Sequence, residues 1–121
     1  MSNVKKVLVI DDSPYMFKAV RRALEPHGFS VVGHAENGKI GLEMYDELMP
    51  DVVTLDITMP VMNGLETATN LLRKHSGAKI IMLSAMGDDT LVESARKIGV
   101  KHFIPKPFEA NELLDIVKSM L

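Results

Sequence analysis

The chain has 121 residues, of which 46% are apolar, and its interspersed acidic and basic residues leave a formal net charge of −2. This length predicts a single domain spanning residues 1–121 with one hydrophobic core of its own. The sequence contains no cysteine, which excludes a disulfide framework and a cysteine metal site. The balanced charge and the lack of an apolar run of about 20 residues argue against nucleic-acid binding and a membrane span, so we expect a cytoplasmic protein.

The first half of the chain alternates short apolar runs with segments of helical spacing. Ser13-Pro14 predicts a helix start, with serine as the cap and proline at the first helical position, and Gly28 predicts its end. The elements predicted here are, in chain order, a buried strand at 7–10, this first helix with its stripe Met16, Val20, Ala23 and Leu24, a strand at Val31-Val32, a helix marked by Ile40, Met44 and Leu48, and a strand at 52–55 that ends at Asp56.

The second half repeats the same alternation. Its predicted elements are a helix marked by Leu65, Ala68 and Leu72, a strand at 80–83, a helix marked by Leu91, Ala95 and Ile98 and stopped by Gly99, a short strand at 102–104, and a final helix striped by Leu113, Ile116, Val117 and Met120. Five strand–helix units with uniformly apolar strands predict an α/β fold. We expect a doubly wound, five-stranded parallel sheet with helices on both faces.

Polar residues stand at the end of four of the predicted strands. Asp11-Asp12 follows the first strand, Asp56 ends the third, Ser84 follows the fourth, and Lys106 lies after the fifth. Because sites in parallel sheets form at the carboxyl ends of the strands, we expect these side chains to share one edge. Two unit charges 4 Å apart cost about 4 kcal/mol at an effective dielectric of 20, and one lysine does not balance three aspartates. Hard oxygen ligands without histidine or cysteine favour Mg²⁺, for which Mn²⁺ is a possible substitute.

This combination of groups suits one type of chemistry. A carboxylate beside a divalent cation and an ammonium group is suited to attack phosphorus and form an acyl phosphate. Phosphoryl transfer requires mainly alignment and neutralisation of the phosphoryl oxygens. Mg²⁺ can take one oxygen, Lys106 a second, and the Ser84 hydroxyl with backbone N–H groups a third.

Four sequence blocks carry a family resemblance, in order and over essentially the whole chain. They are Val-Leu-Val-Ile-Asp11-Asp12-Ser, Leu-Asp56-Ile-Thr-Met-Pro-Val-Met-Asn-Gly, Leu-Ser84-Ala and Lys106-Pro107-Phe. Together they resemble the signature blocks of the response regulator receiver family. The resemblance implies a flavodoxin-like strand order of 2-1-3-4-5, which the apolar pattern alone does not provide, and a cis Lys106–Pro107 bond.

The resemblance also implies a role for each site residue. Asp56 is the implied phosphoacceptor, Lys106 the partner of the phosphoryl group, Ser84 the switch hydroxyl and Phe103 the aromatic switch residue. The implied Mg²⁺ ligands are Asp12, Asp56 and the backbone carbonyl of Thr58, with Asp11 acting through water.

Among receivers, the sequence most resembles chemotaxis regulators of the CheY type, as found in Bacillus and Thermotoga. This resemblance implies a stand-alone, monomeric receiver without an output domain, phosphorylated by a CheA-like histidine kinase. Phosphorylation is expected to change the surface of the fourth helix, fifth strand and fifth helix so that it binds a FliM-like flagellar switch protein. Such a protein is not an enzyme in the usual sense, although it catalyses its own phosphorylation and dephosphorylation. We expect no nucleic-acid or membrane partner.

Three positions depart from the pattern of the CheY-type regulators of enteric bacteria. Thr58 replaces asparagine, Met86 replaces an acidic residue beside the site, and Phe103 replaces the more usual tyrosine. The first two flank the path of attacking water, which favours a phosphatase of the CheC, CheX or FliY type over one of the CheZ type. Phe103 has no hydroxyl, so any switch at this position must work by packing.

Several alternatives remain open from the sequence. A phosphorelay intermediate would use the same site and differ only in its partner surface. A degenerate receiver is disfavoured because every site residue is present. A flavodoxin-like FMN carrier would need a phosphate loop where Asp11-Asp12 would repel the phosphate, and a haloacid-dehalogenase-type phosphatase would need an Asp-x-Asp motif after the first strand.

Overall fold

The computed structural model describes residues 4–121 and contains one parallel sheet in the order β2-β1-β3-β4-β5. The implied strand order and the predicted fold class are both confirmed. The five strands are β1 (Lys5–Ile10), β2 (Phe29–Ala35), β3 (Val52–Asp56), β4 (Ile80–Ser84) and β5 (His102–Pro105).

Five helices alternate with these strands: α1 (Pro14–Leu24), α2 (Gly38–Leu48), α3 (Gly64–Lys74), α4 (Asp89–Lys97) and α5 (Ala110–Met120). The first three begin at residues whose side-chain oxygens accept a backbone N–H from three residues further on, namely Ser13, Asn37 and Asn63. These caps satisfy N–H groups that have no partner inside a helix. Within residues 4–121, none of the helices has the length and apolar character needed to cross a bilayer.

The sheet is buried on both faces, and successive strand residues supply two separate hydrophobic clusters. On β1, Val7 and Val9 pack with α1 and α5, whereas Leu8 and Ile10 pack with α2, α3 and α4. This alternation follows from the two-residue repeat of a strand. The continuous apolar runs in the sequence are therefore explained by helices on both sides of each central strand.

Two predicted boundaries differ from the structure. β2 covers Phe29–Ala35 rather than only Val31-Val32, because its polar and glycine residues lie on a partly exposed edge strand where no apolar run is required. The first helix ends at Leu24, and a single 3₁₀ turn, Glu25–His27, leads to Gly28 at φ +88°. Gly28 therefore ends the 3₁₀ turn rather than α1, since the left-handed region favours glycine.

The apolar stripe predicted for the second helix was partly wrong. Ile40 is exposed, and the buried face of α2 contains Gly38, Gly41 and Tyr45. A β-carbon at Gly41 would lie 2.6 Å from the side chain of Ile10, so the helix approaches β1 closely only because glycine stands there. Apolar spacing does not detect a contact that depends on the lack of a side chain.

Candidate functional site

Three carboxylates meet at the carboxyl edge of the sheet, as the sequence predicts. Asp11, Asp12 and Asp56 each place one oxygen within 4.8 Å of the others. Asp11 and Asp56 are buried, with 1% and 5% of their surface exposed, whereas Asp12 is exposed. Each pair of ionised carboxylates repels by about 3.5 kcal/mol or more at separations up to 4.8 Å and an effective dielectric of 20. The arrangement therefore requires positive charge nearby.

Asp56 is the last residue of β3 and receives two hydrogen bonds on one oxygen. Lys106 Nζ donates to Asp56 Oδ1 at 3.0 Å, and the backbone N–H of Thr58 donates to the same atom at 3.3 Å. Lys106 lies just after β5, and its backbone N–H donates to the carbonyl of Ser84 at the end of β4 at 2.7 Å. The Lys106–Pro107 bond is cis, as the resemblance implies. Three neighbouring strands thus bring Asp56, Ser84 and Lys106 to one edge.

Asp11 is held on several sides. Its backbone N–H donates to the carbonyl of Ala35 at 2.9 Å, and its Oδ1 accepts the backbone N–H of Ser13 at 2.8 Å. Its Oδ2 is buried and has no hydrogen-bond partner among the residues described, 4–121. Burial above all, together with repulsion from Asp56, raises the pKa of Asp11 to about 6, although the Ser13 N–H acts in the opposite direction.

The donor set fits a hard divalent cation. A buried carboxylate oxygen without a partner is costly unless a ligand binds it. Asp11 Oδ2 is such an atom, and Asp11 is one of the three carboxylates whose oxygens lie close together. The carbonyl of Thr58 also accepts no hydrogen bond within residues 4–121. Oxygen ligands of this number and charge match the preference of Mg²⁺, or of Mn²⁺ in its place.

Gly64 positions the end of β3, a role that the sequence did not reveal. It is the first residue of α3, and its backbone N–H donates to the carbonyl of Ile57 at 2.7 Å. A β-carbon here would lie 2.6 Å from Ile57 Cα and closer still to the backbone oxygen of Asp56. Only glycine allows α3 to begin against the backbone that carries Asp56.

Phe103 and Met86, two further residues that the sequence singled out, differ in how far they are exposed. Phe103 on β5 is half-buried, and the guanidinium carbon of Arg96 lies 4.7 Å from the centre of its ring. Met86, which the sequence placed beside the site, is fully exposed in the segment between β4 and α4. Large exposed apolar residues also follow β1 and β3, at Tyr15 and Val61. Large exposed apolar residues thus follow β1, β3 and β4, the strands that also carry or precede site residues.

Comparison with known proteins identifies the family. The sequence matches the response regulator receiver domain over residues 7–118. The chain belongs to this family. This receiver is 44% identical to the chemotaxis protein CheY of Listeria monocytogenes over 113 residues, covering 93% of this chain and 95% of that protein. It is 40% identical to CheY of Thermotoga maritima, covering 96% and 97% respectively.

Solved structures agree with this assignment. A chain in the crystal structure of the CheX–CheY complex with beryllofluoride and Mg²⁺ from Borrelia burgdorferi superimposes with a TM-score of 0.89 at 34% identity. The match covers 95% of this chain and 87% of that one. The receiver is therefore of the CheY type, a chemotaxis class within two-component signalling. The family resemblance drawn from the four sequence blocks is confirmed.

Proposed function

We propose that this receiver is a chemotaxis switch in which Asp56 accepts a phosphoryl group from a CheA-like histidine kinase in a Mg²⁺-dependent reaction. One observation carries the proposal: the buried Asp56 carboxylate lies 3.0 Å from Lys106 Nζ and within 4.8 Å of the Asp11 and Asp12 oxygens. A nucleophilic carboxylate, an ammonium group that can bind a phosphoryl oxygen and a set of possible metal ligands thus lie together. Several relatives that match this chain over nearly their full length are chemotaxis CheY proteins.

The transfer step needs only groups in this cluster and the donor. A carboxylate oxygen of Asp56 attacks the phosphorus, and the P–N bond of the donor phosphohistidine breaks as the new O–P bond forms. The imidazole leaves with the bonding electron pair, and an acyl phosphate remains on Asp56. The Lys106 ammonium, already beside Asp56, neutralises charge on the phosphoryl oxygens.

A divalent cation completes this site. Asp11, Asp12, Asp56 and the carbonyl of Thr58 would hold it, since each offers an oxygen that can serve as a ligand. When bound, Mg²⁺ supplies positive charge against the phosphoryl oxygens. The chain's own residues fix these carboxylates: Ser13 and Ala35 hold Asp11 in place, and Lys106 and Thr58 hold Asp56.

The phosphoryl group then acts as a switch through Ser84 and Lys106. Hydrogen bonds to a charged group are worth about 1.5–3 kcal/mol each, so two of them supply about 3–6 kcal/mol. Moving an equilibrium from 1:99 to 99:1 takes about 5.5 kcal/mol, which these two bonds can provide. Movement of Ser84 would free space beside β4, and Phe103 would turn inward to fill it. The surface of α4, β5 and α5 changes as a result.

Partners follow from this surface. The changed α4–β5–α5 face binds a FliM-like flagellar switch protein in the cytoplasm. Phosphoryl removal is assigned to a phosphatase of the CheC, CheX or FliY type, supported by the similarity to a chain of a CheX–CheY complex. The exposed Tyr15, Val61 and Met86, on the segments that follow β1, β3 and β4, are suited to contact with a protein that reaches Asp56.

The test measures binding of a labelled flagellar-switch peptide by fluorescence anisotropy, with and without Mg²⁺ and beryllofluoride. Asp56→Asn removes the acceptor, and Asp51→Asn is the matched control because it changes a carboxylate at the opposite end of β3. Tighter binding of activated wild type and Asp51→Asn alone supports the proposal. If spectroscopy shows that beryllofluoride changes the conformation of the protein but the peptide does not bind, the phosphorelay alternative would be favoured. No response to beryllofluoride would contradict the assignment of Asp56.

A further inference from the structure

His34 makes a hydrogen bond to the backbone of the acidic cluster. Its Nε2 lies 2.8 Å from the carbonyl oxygen of Asp11. Since a carbonyl only accepts hydrogen bonds, Nε2 must carry the proton and donate. The imidazole also stacks on the ring of Phe17 from α1, with the ring centres 4.5 Å apart and the planes only 5° from parallel. The ring is therefore held on its face as well as at its edge.

The carbonyl of Asp11 needs this donor because the sheet ladder stops beside it. Ile10 pairs with Ala35, and the Asp11 N–H makes the last ladder bond, to the Ala35 carbonyl. β2 ends at Ala35, so the strand offers no further backbone N–H to the Asp11 carbonyl. A buried carbonyl without a partner costs free energy. The His34 side chain takes the place of the missing backbone donor.

We propose that His34 is a positioning residue for the divalent-cation site, an inference that rests on the proposed function. The peptide that joins Asp11 to Asp12 is planar, so holding its carbonyl fixes the direction in which Asp12 leaves the strand. Together with Ser13, which holds Asp11 Oδ1, His34 orients both carboxylates. Asp11 Oδ2 is buried without a hydrogen-bond partner among residues 4–121, and Asp11 belongs to the acidic cluster.

Phe17 keeps the His34 ring in a fixed orientation. The stacked ring restricts rotation of the imidazole and connects it to α1, the helix that begins directly after the Asp11-Asp12 segment. The guanidinium carbon of Arg21 lies 5.6 Å from the centre of the Phe17 ring on the same helix. His34 thus connects the acidic cluster to the packed face of α1 and does more than fill space on an edge strand.

Two substitutions separate the hydrogen bond from the packing. His34→Phe keeps a planar ring that can stack on Phe17 but removes the N–H donor. His34→Gln keeps an N–H donor but removes the ring. His27→Phe is the matched control because it makes the same exchange at an exposed histidine in the 3₁₀ turn.

The first measurement uses the metal-free protein and long-range ¹H–¹⁵N correlation of the histidine rings. We expect a protonated Nε2 on His34, and an unprotonated Nε2 would overturn the inference. The second measurement is a Mg²⁺ titration of each variant followed by NMR. Loss of partners that orient metal ligands typically weakens metal binding about 10–100-fold. We expect a loss of this size for His34→Phe, partial recovery for His34→Gln and no change for His27→Phe.

Each outcome has a distinct meaning. Wild-type Mg²⁺ affinity in His34→Phe, with or without a lower urea midpoint, would show that His34 only supports packing and would overturn the inference. If wild type itself fails to bind Mg²⁺, the proposed function fails and the inference fails with it. If His34→Phe does not fold, the ring-nitrogen measurement and His34→Gln decide instead. Mg²⁺ binding by His34→Gln about 100-fold weaker than by wild type would then overturn the role of the hydrogen bond.

Discussion

Replacing Gly64 by alanine places a methyl group against the backbone that carries Asp56. The added β-carbon would lie 2.6 Å from Ile57 Cα, whereas ordinary contact begins at 3.4 Å, so α3 and β3 must separate by about 0.8 Å or more. Forcing extra atoms into a packed site costs about 1–3 kcal/mol. A shift of about 1 Å in a catalytic group can slow a reaction about 100-fold. We expect Gly64→Ala to lose about 2 kcal/mol of stability. We also expect its Asp56 to accept a phosphoryl group up to about 100-fold more slowly than in wild type.

Gly77→Ala is the matched control for this prediction. A β-carbon at Gly77 meets nothing within 4 Å, and its φ lies outside the left-handed region. Alanine there stabilises by about 0.4–1 kcal/mol, chiefly by restricting the unfolded chain. Urea unfolding gives the free energies, and incorporation of phosphate from acetyl phosphate gives the rates. A Gly64→Ala variant within about 0.5 kcal/mol of wild type and equally fast would refute the close-contact reasoning.

Three further perturbations test other parts of the structure. Burial raises the pKa of Asp11 in the folded protein from 3.8 to about 6, so the folded state favours the protonated carboxyl. The stability that this preference contributes is fully present below pH 3.8 and is lost as the pH rises through 6. Mg²⁺ needs the ionised form, so the rise in Tm caused by Mg²⁺ should be larger at pH 7.5 than at pH 5, and equal rises would contradict this pKa. Met49→Gly should raise the free energy of unfolding by about 0.5–1 kcal/mol, since Met49 is exposed at φ +45° at the end of α2, and a lower urea midpoint would argue against strain there. Arg96→Gln removes the guanidinium above Phe103, a contact worth about 0.5–1 kcal/mol. The population of molecules in which the Phe103 ring is turned inward should therefore rise about 2–5-fold, as measured by NMR in the metal-free protein. An unchanged ring population would show that Arg96 does not hold Phe103.

The strands and the acidic group could be predicted because each depends on local sequence. Val7 to Ile10 is apolar throughout since both faces of β1 are buried, and a carboxylate directly after such a strand must lie at the sheet edge. The sequence therefore places Asp11, Asp12 and Asp56 at one edge of the sheet, and the pairing of β1 with β3 brings them close together. The strand order was different, because the alternation of strands and helices is compatible with more than one order and only the family resemblance supplied it.

Other features could not be predicted because they depend on which residues meet in three dimensions. His34 contacts Asp11 across the sheet and Phe17 across the β2–α1 packing, and nothing in the spacing of these residues indicates either contact. Gly64 stands in a sequence block that resembles the family, but its close approach to the end of β3 needs coordinates. The exposure of Ile40 likewise follows from the glycine contact of α2 with β1.

The most direct measurement is the site of phosphorylation itself. The receiver is incubated with acetyl phosphate and Mg²⁺, the acyl phosphate is trapped by borohydride reduction, and the modified residue is located by peptide mass spectrometry. We predict one modification per chain, at Asp56, that requires the divalent cation and disappears in Asp56→Asn. Modification of a different residue, or none in the wild-type protein with Mg²⁺ present, would contradict the assignment of Asp56 as the phosphoacceptor.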